Sequence, residues 1–299
     1  MTHNQSTSHP TAIMNGSLIL PFGIINDQAL LVANGKILGS VPSDQVPDDF
    51  DRLDAGGRVI TPGLIDIHTH GALGHSFNEP STEAWDVITR ENLRRGVTSL
   101  LPTLGAGPMN ELVSCLEFAR EWMKVPHPGS QVLGVHAEGP FLSMGQKGAQ
   151  DPSSIISPDK NNVERLLAFA DVLAILTFAP EIPGAIELVE RCVELGIVAA
   201  AGHSTGYDTD IRTAYEHGLR HTVHIWSSQS SVIRDGPWRK PGLLEATLTM
   251  DGLTAEMISD NRHLPPTLMK LAYRCKGPDR LSVISDASSA AGFPEGIVF

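Results

Sequence analysis

Cysteine is scarce in this chain. Its 299 residues include three, Cys115, Cys192 and Cys275, with no CxxC pair. An odd number at such spacings excludes a disulfide-stapled scaffold and a cysteine-rich zinc module, and it points to a reducing compartment, the cytoplasm. Positive charge is also short. Lys and Arg total 22 against 34 Asp and Glu, a net charge of -12, which argues against a nucleic-acid surface. There is no run of eighteen apolar residues, so nothing reads as a membrane span. No GxGxxG follows an early strand, which weakens the case for a doubly wound dinucleotide-binding sheet.

Three stretches follow one another along the chain. Residues 1–10 are polar, lack an apolar segment behind a basic start, and read as a disordered tail and not a secretory signal. Residues 11–60 hold short apolar runs broken by Asn, Asp, Gly and Pro, and Asn34-Gly35 between two runs is a hairpin signal. They predict part of a small β-domain, too thin for its own core and in need of strands from elsewhere. Residues 61–299 alternate apolar strands with amphipathic helices.

Eight strands are expected there, at 64–68, 98–102, 132–138, 172–178, 197–203, 222–226, 254–258 and 281–286. Helical periodicity covers 81–95, 109–123, 163–169, 185–195, 208–217 and 266–275. Strands too apolar to have a wet face, each followed by a helix, predict an α/β fold, a (β/α)8 TIM-type barrel. The chain stops thirteen residues after Asp286, leaving no room for an eighth helix, so the sequence reads as truncated.

Polar residues collect at the C-terminal ends of these strands. His68 and His70 end the first, Glu138 the third, His203 the fifth and Asp286 the eighth, while His224 lies in the sixth. In a barrel those ends converge on one mouth. The period-2 spacing of His68 and His70 puts both imidazoles on one side of the strand. Any one of these residues alone could be a salt-bridge partner or a cap. Together they are a ligand set for one or two divalent ions, zinc first and Fe, Co or Mn as alternatives. Asp286 beside such an ion could act as general base and then general acid. His136 shares a strand face with Glu138 and is a candidate support for it. His217 and His221 flank a helix-to-strand turn and read as caps, and His127 reads as solvated.

The segments Pro62-Gly63-Leu64-Ile65-Asp66-Ile67-His68-Thr69-His70-Gly71, His136-Ala137-Glu138-Gly139-Pro140-Phe141, Lys147-Gly148-Ala149, Gly202-His203-Ser204 and Ser285-Asp286-Ala287 carry a resemblance. The first resembles the amidohydrolase superfamily, and the set is similar to its N-acetylglucosamine-6-phosphate deacetylase family. The resemblance implies metal ligands Glu138, His203 and His224, an optional second pair in His68 and His70, and Asp286 as the acid/base. It implies that Arg239 and His263 reach a substrate phosphate from a neighbouring subunit, hence a homodimer acting on a small amino sugar phosphate. Two departures stand out. Ser227 and Ser228 replace an Asn-Ala pair near the sugar phosphate, and Gln150 replaces a histidine near the acyl group. These three candidate substrate contacts keep other readings open: a hydrolase for another N-acyl sugar or a cyclic amide, or a metal- or sugar-binding protein without turnover.

Overall fold

The computed structural model describes residues 9–294, and the expected tail lies outside them except for its last two residues. The chain divides into two compact units at Gly63/Leu64. In the first, a four-stranded sheet runs Lys36–Pro42, Gln28–Ala33, Thr11–Met14, Asp51–Asp54, and a three-stranded sheet runs Gly23–Ile25, Ser17–Leu20, Val59–Ile60. The Asn34-Gly35 turn joins two antiparallel neighbours, with φ of 51° and 70°. That is the left-handed pair which Asn and Gly adopt at little cost. The unit's core is small: Ala12, Ala29, Leu31 and Val46, with Met14, Val41 and Phe50 packed against it.

The second unit is the barrel. Its strands are β1 (Leu64–Thr69), β2 (Val97–Leu104), β3 (Val135–Glu138), β4 (Leu173–Phe178), β5 (Val198–Ala201), β6 (His221–Thr222), β7 (Thr254–Ile258) and β8 (Leu281–Ile284). Neighbours pair in parallel in that order from β1 to β8. The ring is drawn together between β8 and β1 at the mouth. There the Asp286 N–H donates to the His68 carbonyl at 2.9 Å and the His70 N–H to the Ala287 carbonyl at 2.8 Å. Asp66 adds a side-chain link, its Oδ1 accepting from the N–H groups of His68 and Ser285.

Seven helices follow the first seven strands: α1 (Thr82–Arg94), α2 (Met109–Trp122), α3 (Lys160–Leu167), α4 (Ala185–Glu194), α5 (Asp208–Glu216), α6 (Leu243–Thr249) and α7 (Pro266–Lys276). Their starts follow from local chemistry. Ser81 caps α1 by accepting from the Ala84 N–H, Asp159 caps α3 by accepting from Asn162, and Pro266 opens α7 where a missing N–H costs nothing. Apolar faces of these helices pack on the outward residues of the strands around Trp85, Leu116, Leu176 and Phe178. The inward alternates Leu101, Ile175, Ala200 and Val223 form a separate plug inside the ring. Most of the strands are therefore covered on both faces, which is why they read as apolar; β1 and β8 are the clearest exceptions, with Leu64, Ile65 and Val283 exposed.

Most strand boundaries shift by one or two residues from the sequence reading, and the third and sixth strands depart furthest. The sixth strand contracts from five residues to His221–Thr222, because the backbone turns into the left-handed region at His224, φ 25°. The third strand begins at Val135 and not at 132, and Val132 joins Gln131 in a short strand that pairs with β2. The helix α6 was not expected, since seven residues give too short a period to recognise.

Candidate active site

The strand ends place six of the expected residues around one point. Glu138, at the end of β3, is the hub: its Oε1 lies 2.7 Å from His224 Nε2, 3.0 Å from His203 Nε2 and 3.4 Å from His68 Nε2. Its Oε2 lies 3.4 Å from His70 Nε2. Asp286 approaches from β8, its Oδ1 3.3 Å from His70 Nε2 and 3.6 Å from His68 Nε2. Three of these side chains leave bends where φ is positive: His203 and Asp286 at 47°, and His224 at 25°. Non-glycine residues adopt such angles at a cost, and they cluster where a scaffold must aim a side chain.

Burial and charge act against each other here. Burial would push the Glu138 carboxyl upward, but His68, His203 and His224 outweigh it and hold it well below the usual carboxylate range. Burial likewise opposes ionisation of Asp286, yet the hydrogen bond from His70 brings its carboxyl below the ordinary value, so it is an ionised acceptor at neutral pH. Burial disfavours the His70 cation, and the carboxylates of Asp286 and Glu138 reverse this, raising it to about 9.

The donor set tests whether a cation fits. Among the described residues His68 Nε2 is buried without a hydrogen-bond partner, although its ring is wholly enclosed and its Nδ1 is held. A buried polar atom with no partner costs about 1–3 kcal/mol unless something completes it. His68, Glu138 and His224 offer ligand atoms within 4.8 Å of one another, and so do His68, His70 and Asp286. Three neutral imidazoles or more with one or two carboxylates suit a borderline divalent ion. The residues fit the group.

A cavity of about 560 Å³ opens over this cluster, and its wall includes Gln150, Ser227, Ser228 and His263. Gln150 is tied at both ends: its Oε1 accepts from the Ala106 N–H at 2.9 Å, and its Nε2 donates to Glu138 Oε2 at 2.6 Å. It thus holds the hub carboxylate as well as lining the cavity. Gly148, at φ 58°, permits a close approach, since a Cβ there would meet Ser228 Oγ at 2.5 Å and His203 Cε1 at 3.3 Å. His263 lines the cavity of its own chain, whereas the resemblance implied a reach into the neighbouring subunit; its Nδ1 is 2.7 Å from Asp260 Oδ2. Arg239 is not brought to the site. It stands exposed on the hairpin Ile233–Asp235/Trp238–Lys240, and among the described residues no lysine or arginine lines the cavity.

Some residues have other roles than the sequence suggested. His221 is not a cap: it is buried in β6 with Nε2 3.1 Å from Glu256 Oε1. His127 is not solvated, since its ring stacks on Trp122 with centroids 3.6 Å apart. His136 is enclosed beside His68, bonded to Thr177 Oγ1 and the Ile67 carbonyl, and burial pushes it down to about 3, so it is neutral. Glu256 escaped notice altogether, although a lone carboxylate inside the apolar stretch of β7 was a readable signal.

Known proteins are similar to this chain in sequence and fold. The profile of the amidohydrolase family matches residues 59–281. N-acetylgalactosamine-6-phosphate deacetylase of Escherichia coli is 29% identical over 280 residues, spanning 93% of this chain and 72% of that protein. N-acetylglucosamine-6-phosphate deacetylase of Bacillus subtilis is 31% identical over 92% of this chain and 69% of its own length. The crystal structure of N-acetylglucosamine-6-phosphate deacetylase from Pasteurella multocida superposes with a TM-score of 0.89 at 29% identity, covering 97% of this chain and 75% of that one.

Proposed function

The chain belongs to the amidohydrolase family, and from that premise we propose that it is a metal-dependent deacetylase converting N-acetylglucosamine 6-phosphate to glucosamine 6-phosphate and acetate. The observation that carries the reading is the convergence of His68, His70, Glu138, His203, His224 and Asp286 under a cavity of sugar size. Glu138, His203 and His224 would hold one cation, with His68 and His70 available to a second; zinc is the ion we propose. When bound, the ion supplies positive charge that makes water a better nucleophile near neutral pH and offsets the charge developing on the amide oxygen.

The chain's own groups do the rest. Asp286, ionised at neutral pH, accepts the proton of the attacking water at Oδ1. As the C–N bond breaks, it returns that proton to the leaving amine nitrogen, giving acetate and the free amino sugar. Gln150 keeps Glu138 oriented through its Nε2, and Ala106 keeps Gln150 in place. The hydroxyls of Ser227 and Ser228 and the imidazole of His263 face the cavity where a sugar and its phosphate would lie. In this reading the enzyme is a cytoplasmic homodimer, and Arg239 supplies charge for the phosphate across the dimer.

Amine release from N-acetylglucosamine 6-phosphate by the purified chain with zinc tests the proposal. The unphosphorylated sugar and N-acetylgalactosamine 6-phosphate serve as comparisons. Turnover fastest on N-acetylglucosamine 6-phosphate is expected. No release from any of the three overturns it.

A further inference from the structure

Glu256 takes no part in the hydrolysis just derived, yet its side chain is completely enclosed. It projects into the barrel from the middle of β7. Its Oε2 lies 2.7 Å from His68 Nδ1 and accepts from the His224 N–H at 3.4 Å, while its Oε1 lies 3.1 Å from His221 Nε2. His221 Nδ1 is in turn 2.7 Å from Thr254 Oγ1. One carboxylate therefore touches two of the six residues at the mouth from below, and a second histidine secures that carboxylate.

Proton inventory then decides which nitrogen His68 can offer to a cation. An imidazole that ligates a cation is neutral and carries one N–H, and a carboxylate can only accept, so in that state the proton sits on Nδ1 facing Glu256. The lone pair is left on Nε2, the atom with no partner, 3.4 Å from Glu138 and 3.6 Å from Asp286. We infer that Glu256 is a positioning residue: it selects the Nδ1–H form of His68, turns Nε2 toward the cation, and steadies His224 through its backbone. A ligand orientated in this way binds more tightly because its rotation and tautomer are settled before the ion arrives. The inference rests on the proposed function only for the presence of a cation.

Zinc affinity, measured by chelator competition without substrate, is the test. Glu256→Gln should bind zinc about 10–100-fold more weakly than the unaltered chain. Its circular dichroism and zinc-free melting temperature should stay close to those of the parent. A purely structural role would do the reverse, lowering the melting temperature and sparing zinc affinity, and that result overturns the inference. Should Glu256→Gln not fold, the unaltered protein decides. Nuclear magnetic resonance of ¹⁵N-histidine protein loaded with ¹¹³Cd should show coupling at Nε2 of His68 and a proton on Nδ1. Coupling at Nδ1, or none at His68, overturns it. A chain that binds zinc through this arrangement but releases no amine would sink the deacetylase reading and leave the role of Glu256 standing.

Discussion

In the barrel, side chains as large as Trp85, Phe77 and Phe178 are fully buried between strands and helices; in the N-terminal unit the buried residues among those described are Ala12, Leu18, Ala29, Leu31 and Val46, none of them aromatic, while Phe22, Ile24 and Ile37 stand exposed. The charges differ in the same way. Glu138, Glu256 and Asp66 are enclosed in the barrel, and among the described residues of the smaller unit no charged side chain is buried. Taking a carboxylate out of water costs several kcal/mol unless partners replace the water, so only a deep, rigid core can host one. Depth is thus what lets the barrel do chemistry. The smaller unit has the hydrogen bonds of a sheet, but among its described residues no carboxylate is enclosed.

Substitutions in the two units should separate along that line. The largest effect is expected at the hub: Glu138→Gln should abolish zinc retention and bring amine release to background, as metal analysis and turnover would record. Asp286→Asn should keep zinc yet slow turnover by about 10²–10⁴-fold, the usual worth of a positioned acid/base. Full activity in that variant would remove the assignment. In the barrel wall, Leu116→Ala should cost about 2–5 kcal/mol in denaturant unfolding, with turnover per folded molecule preserved. Leu31→Ala in the smaller unit should cost about 2 kcal/mol, since its core is thin and can relax. Gly35→Ala should be mildest, about 1 kcal/mol, because it meets no neighbour and only the left-handed backbone is penalised. If either of the last two altered turnover more than stability, the contrast between the units would fail.

The parallel barrel was legible because strands covered on two faces over most of their length must be apolar, and because six helices with recognisable periodicity alternate with them. The candidate site was legible for a related reason: strand ends in such a ring meet, so residues scattered from His68 to Asp286 could be assembled without coordinates. What stayed hidden was contact across the ring. The partner that Glu256 holds through Nδ1 is 188 positions earlier in the chain, and no local pattern announces it. Gln150 was readable as a cavity residue, but its grip on Glu138 depends on a loop whose path the sequence does not specify. Arg239 shows the opposite limit: a residue type suited to phosphate sits on an exposed hairpin away from its own chain's cavity.

The positive φ angles at His203, His224, Ser228 and Asp286 affect how mutagenesis of this mouth should be interpreted. Alanine at any of these positions would remove a functional group but keep the Cβ that the native residue already carries, so the backbone cost would stay in place, whereas glycine would remove both together. Asparagine and glycine tolerate the bend, and comparing them with alanine would separate what each side chain contributes from what its launching angle demands.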